Sequence, residues 1–205
     1  MRIVSCVTAA GMLLATSASA AYPERSIRII VPYAPGGNID ITARTIAPGM
    51  AEALGQQVVI DNRGGAGGTL GTDIGAKAAP DGYTLTLGST GTLSTAPPLY
   101  PKLGYDPVKD FAMTSLVNNV PLVLEMHPSI PAKTVKEFIA LAKARAGKIT
   151  MGSSGAGTTN HLSGELFQRE TGTRFIHIPY KGSGPGLIDL VGGQIDIFLD
   201  RKSTR

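Results

Sequence analysis

Tryptophan is absent from the 205 residues, histidine occurs three times and cysteine once. Cys6 lies in an N-terminal segment that reads as a removable leader, too early for a lipid-attachment cysteine. The remainder thus offers no disulfide, no thiol nucleophile and no cysteine-ligated metal. Runs of lysine or arginine are also missing, and 19 basic against 15 acidic residues give a formal charge of +4. Without an indole to stack bases or a basic cluster, the composition gives no reason to expect a nucleic-acid partner. Beyond residue 20 no apolar run approaches the roughly 20 residues of a spanning helix. Glycine (26) and proline (14) are plentiful and fall mostly at turns between apolar runs, the punctuation of an α/β protein.

Residues 1–20 pair the basic Arg2 with a mostly apolar stretch over 3–15 and the small residues Ala18, Ser19 and Ala20. That is the pattern of a secretory signal peptide, with cleavage predicted after Ala20. Its loss removes Arg2 and leaves a charge of +3, a mild attraction for anionic solutes.

Periodicity predicts strands over 26–31, 57–60, 83–87, 111–117, 122–126, 149–151, 174–178 and 195–199. Helices are predicted over 39–54, 69–79, 134–146, 159–171 and 185–191. Asn38 is the expected N-cap of the first helix, and Pro48 is expected to break or kink it. Thr134 and Glu137 have capping-box spacing, and Gly172 is a natural helix stop. Strands alternating with helices argue for a parallel-rich sheet with helices on its faces. A domain change is expected near 117–121, dividing the chain into lobes at 21–117 and 118–200.

One strand–turn–helix unit occurs in each lobe. The apolar run ending at Val31 feeds Pro32, Tyr33, Ala34, Pro35, Gly36 and Gly37, then a helix with Asp40 in its first turn. In the second half, Ile149 to Met151 feeds Gly152, Ser153, Ser154, Gly155, Ala156, Gly157 and Thr158, then another helix. N–H groups at a helix start have no partner within the helix and carry the positive end of its dipole, so they suit a carboxylate. Two such starts predict a clamp that holds an acidic ligand between the lobes.

Better-known glycine-rich chemistries fail on single residues. A dinucleotide fingerprint beginning at Gly65, Gly155 or Gly182 meets Leu70, Asn160 or Leu187 where it needs glycine, and no loop ends as a P-loop does. A serine-hydrolase elbow at Ser154 meets Ala156 in place of glycine. His161 and Glu165 stand one helical turn apart, two ligands without a third for a metal.

In order along the chain come Tyr22-Pro23-Glu24-Arg25, then Ile29-Ile30-Val31-Pro32-Tyr33-Ala34-Pro35-Gly36-Gly37, and then Asp61-Asn62-Arg63-Gly64-Gly65-Ala66-Gly67-Gly68. Pro80-Asp81-Gly82-Tyr83-Thr84-Leu85, Tyr105-Asp106-Pro107, Gly152-Ser153-Ser154-Gly155-Ala156-Gly157-Thr158, Pro179-Tyr180-Lys181-Gly182 and Gly192-Gly193-Gln194-Ile195-Asp196 follow. With this set the sequence resembles the substrate-binding proteins of tripartite tricarboxylate transporters, the Bug family of extracytoplasmic solute receptors. The resemblance implies an α/β, two-lobed, type II periplasmic-binding-protein-like fold with the ligand in the cleft. It implies that Tyr33, Ala34, Pro35, Gly36 and Gly37, and Ser153, Ser154, Gly155, Ala156, Gly157 and Thr158, hold a ligand carboxylate, partly through ordered water. Ser89, Thr90 and Lys181 are expected to face the cleft, Asp40 serves the first helix start, and Asp200 matches a family aspartate. Expected partners are a small carboxylate (di- or tricarboxylate, acidic amino acid or aromatic acid) and the large and small membrane permease subunits. The implied receptor is a periplasmic monomer that carries no cofactor and no metal and performs no catalysis.

Family members continue beyond Asp200, whereas this sequence closes on the polar residues 201–205. The expectation is a C-terminally truncated copy with an incomplete second lobe. Two other readings stand beside the receptor: a nonfunctional fragment of one, and a hydrolase using Ser153 or Ser154.

Overall fold

The computed structural model describes residues 22–201; the leader assigned to 1–20 and tail positions 202–205 lie outside the described residues. β1 (Ile27–Val31) is the central strand of a three-stranded parallel sheet, flanked by β2 (Val58–Asn62) and β3 (Thr84–Thr86). Its near-continuous apolar run suits a parallel strand covered on both faces, and Ile27, Ile29, Ile30 and Val31 are all buried. α1 (Asn38–Leu54) lays Ala43 and Ala47 toward this sheet, and Ile29, Val31 and Ala43 form its small core. α2 (Thr69–Ala76) and α3 (Ala96–Leu99) complete the lobe.

The second sheet runs β4 (Leu122–Met126), β7 (Ile197–Arg201), β5 (Ile149–Ser153), β6 (Phe175–Pro179). β5 pairs in parallel with both β6 and β7, while β4 lies antiparallel to β7. α4 (Val135–Ala144) and α5 (Thr159–Thr171) cover one face over Phe138, Met151, Phe175, Ile197 and Leu199. α6 (Ser183–Val191) covers the other over Leu190, Ile195 and Phe198. Phe138 stacks on Phe175 with centroids 5.9 Å apart. Thr134 caps α4 by accepting the Glu137 N–H, and Gly172 ends α5 at φ 66°, both as predicted.

Several local expectations change. Gly37, not Asn38, holds the N-cap position of α1, without a side-chain cap. α1 continues through Pro48, which sits on its exposed face, where the carbonyl left without an N–H partner can meet water. The predicted strand at 111–117 is irregular and exposed, because no neighbouring strand pairs with it. The helical turns at Gly91–Thr95 and α3 were not among the predicted helices, since Gly, Thr and Pro are poor helix formers. β7 returns antiparallel to β4 and sets Arg201 opposite Leu122, so the strand pointing back toward the first lobe is already present.

Candidate ligand pocket between the lobes

The loops after β1, β5 and β6 all leave the carboxyl ends of parallel strands, where α/β sheets place their ligands. Each opens a helix, and the starts of α1, α5 and α6 converge on one small pocket. Its wall consists of Tyr33, Gly37, Asn38, Ile39, Ser154, Thr158, Thr159, Asn160, Ser183 and Arg201. The lobes are closed on it, leaving about 10 Å³, room for roughly one water.

Hydrogen bonds to backbone carbonyls hold this closure. The Ala34 N–H donates to Lys181 O at 2.8 Å, Tyr100 Oη to Ala156 O at 3.0 Å and Thr95 Oγ1 to Gly157 O at 2.9 Å. Glycines make the approach possible. A Cβ on Gly37 would stand 3.3 Å from the backbone nitrogens of Ser183 and Gly184, and one on Gly184 would collide with the Pro35 carbonyl oxygen. Gly36, Gly155 and Gly157 adopt positive φ of 85°, 129° and 74°, open to glycine at little steric cost.

The pocket is electropositive by construction. Asn38 and Ile39 begin α1, Thr159 and Asn160 begin α5, and the N–H groups of a first turn have no carbonyl behind them. Arg201 adds a guanidinium. Burial pushes the Tyr33 hydroxyl pKa up, although the bond it shares with Ser89 at 2.8 Å lowers it.

Tyr33, Gly37, Ser154 and Thr158 of the expected set line the wall. Ala34, Pro35 and Gly36 shape the turn behind it, with the Gly36 N–H donating to Asp40 Oδ2 at 2.9 Å. Asp40 is buried and also accepts from Arg44 and Asn62, so it braces the turn rather than facing the pocket. Burial pushes its carboxyl pKa up, but those bonds outweigh it and hold the pKa below the ordinary value. Ser89 stands behind Tyr33, and Thr90 is exposed, away from the wall. Lys181 engages the first lobe through its carbonyl while its side chain is exposed, so it is not the pocket cation. Gly155, Ala156 and Gly157 serve the turn and the lobe contact. Thr158 donates its hydroxyl to Gly155 O at 2.7 Å and caps α5. Asp200 lies behind the wall, accepting from Asn160 Nδ2 at 3.0 Å and Ser183 Oγ at 2.7 Å.

Ser153 is fully buried, with Oγ 2.7 Å from His177 Nε2, a pairing that no local motif announced. The His177 ring stacks on His161 at 4.0 Å, and His161 Nδ1 accepts the Gly157 N–H at 3.2 Å. Burial, then the neighbouring His161, pushes the His177 pKa down. Asn38, Ile39, Thr159, Asn160, Ser183 and Arg201 were missed as wall residues. The signal available for Ser183 was a third strand–glycine–helix unit at Gly182, weaker because β6 ends in proline. Among the described residues no group of three His, Cys, Asp or Glu could hold a metal, and no helix is long and apolar enough to cross a membrane.

Two α/β lobes closed over a pocket built from helix N-termini define the two-lobed fold of the periplasmic-binding-protein class. The chain belongs to the tripartite tricarboxylate transporter family receptors, whose model matches residues 42–204. The solved periplasmic binding protein BugD is 41% identical with a TM-score of 0.85, over 88% of this chain and 60% of its own. A Rhodopseudomonas palustris protein with adipate (38%, TM-score 0.85) and MatC of the same organism with bound malate (38%, TM-score 0.82) match over 88% of this chain and 60% and 61% of theirs. This chain spans about 60% of the length of the full-length relatives it matches.

Proposed function

We propose that the chain is the ligand-binding part of a periplasmic receptor for a small carboxylate, delivering it as a monomer to the membrane subunits of a tripartite transporter. The observation that carries this reading is the convergence of the α1, α5 and α6 starts on one buried pocket with Arg201 at its wall. Free N–H groups and helix dipoles there favour an anion in a site shielded from water. The relatives whose structures were solved with adipate and with bound malate hold ligands of this class. A cavity of about 10 Å³ admits no such molecule while the lobes are closed, so a ligand enters by hinge opening and is enclosed on closure. The leader pattern over residues 1–20 supports export to the periplasm.

The role is binding without turnover. The Ser153–His177 pair is the one feature that favours a hydrolase, yet Ser153 is fully buried, lies off the pocket wall and accepts the Gly155 N–H at 3.1 Å. We assign the pair to holding the β5–α5 turn. The test is a thermal-shift and calorimetric screen of di- and tricarboxylates, acidic amino acids and aromatic acids on the full chain. At least one carboxylate should give a saturable shift and be recovered unchanged. No shift with any carboxylate would overturn the proposal.

A further inference from the structure

Asn160 is 1% exposed, yet its Oδ1 has no hydrogen-bond partner, and the residue lines the pocket. Its orientation is settled by its other end: Nδ2 donates to Leu199 O at 2.6 Å and to Asp200 Oδ1 at 3.0 Å. Flipping the amide would set an oxygen against two oxygens. The atom left free is therefore an acceptor, and burying an acceptor without a donor is unfavourable.

The hydroxyls beside it add a second acceptor. Ser183 Oγ gives its proton to the Asp200 carboxylate at 2.7 Å. The 2.8 Å contact between Ser154 and Ser183 must then use the Ser154 proton. Ser154 Oγ is left with lone pairs alone to offer the pocket it lines. Thr159 Oγ1, buried and unpartnered on the same wall, can donate or accept. The second-lobe wall thus presents helix N–H donors for a carboxylate and, beside them at Asn160 and Ser154, acceptors that a carboxylate cannot satisfy.

Resting on the carboxylate-receptor reading, we propose that this wall selects a 2-hydroxycarboxylate, with the ligand hydroxyl donating to Asn160 Oδ1 or Ser154 Oγ. A 2-amino acid could also donate, but its ammonium would sit among three helix N-termini and Arg201, which repel a cation. A site built to receive a hydroxyl discriminates against an analogue lacking it, because its polar atoms are then left unpaired.

The test uses succinate, malate and aspartate, four-carbon diacids that differ at carbon 2 alone, titrated calorimetrically into the full chain. Malate should bind at least about tenfold more tightly than either. Asn160→Ala and Ser154→Ala should each narrow the malate-to-succinate affinity ratio severalfold. Should Asn160→Ala fail to fold for want of its brace on β7, Ser154→Ala and the wild-type ratio decide. Equal malate and succinate affinities would overturn the hydroxyl assignment and leave the receptor reading standing, with a water on Asn160. Tightest binding by aspartate would overturn it in favour of an amino acid. No binding by any of the three, with saturable binding of another carboxylate, would also overturn it; no carboxylate binding at all would remove the receptor reading with it.

Discussion

A single methyl group at residue 184 should separate folding from binding. Gly184 lies in the first turn of α6, where alanine is the better helix former by about 1 kcal/mol. Its Cβ, however, would collide with the Pro35 carbonyl oxygen across the lobe contact, and backbone cannot rotate away as a side chain can. We expect Gly184→Ala to leave the ligand-free melting temperature unchanged or slightly higher and to weaken carboxylate affinity at least about tenfold. Wild-type affinity by calorimetry would show that the pocket does not need this closure. Asp40 gives the opposite pattern. Its carboxylate receives Gly36 N–H, Arg44 and Asn62 Nδ2 while almost fully buried. Asp40→Ala leaves the first two donors and the amide in search of partners and should cost about 1–3 kcal/mol of stability. Because its folded pKa is lowered, that stability is present above the ordinary aspartate range and is lost as pH falls through the folded value. Urea titrations of both proteins at pH 7 and pH 3 should show the difference shrinking in acid.

The β5–α5 element carries a titratable brace. His177 lies against Ser153, and His161 accepts from Gly157, so both ends of the turn are tied to imidazoles stacked on each other. The folded pKa of His177 is lowered, so the native state prefers the neutral ring. The stabilisation is therefore complete above the ordinary histidine pKa of about 6.5 and is lost as pH falls through the depressed value. The melting temperature of wild type should drop more between pH 7.5 and pH 5 than that of His177→Gln. Parallel melting curves for the two proteins across that range would show that the ring is not the group responsible. The same element explains why serine was a poor marker of chemistry: in Gly152-Ser153-Ser154 one hydroxyl is spent on the turn, and the other, one residue past the end of β5, reaches the pocket.

At the scale of the molecule, two sheets with separate cores are joined through residues 111–121, which have no regular structure and expose Met113, Leu116 and Val117. Across this segment the described chain passes from the first sheet to the second, while the lobes meet elsewhere through glycine-lined backbone contacts and a few hydrogen bonds. An exposed, irregular link between packed units is where proteases cut first. Limited proteolysis should yield two fragments divided within 111–121, mapped by mass spectrometry, before either sheet is cleaved. First cuts inside α4 or α5 would contradict the two-core description.

Much of this architecture was legible from local pattern. The β1 run, the α5 boundaries, the Thr134 cap and the Gly172 stop are dictated by neighbours a few residues away, through apolar period, capping and glycine's tolerance of positive φ. The two glycine-rich helix starts were visible for the same reason, since unpaired N–H groups are a property of any helix beginning. Which of their side chains reach the pocket was not legible. Asn160 becomes a wall residue because Asp200 and the Leu199 carbonyl, some forty positions on, capture its amide nitrogen and leave its oxygen free. Ser154 presents lone pairs because Ser183 has passed its proton to Asp200. Ser153 meets His177 because β5 and β6 lie side by side. Local sequence determines where donors and acceptors occur along the chain; the assignment of each proton to a partner is a long-range event, and the packed tertiary structure alone decides it.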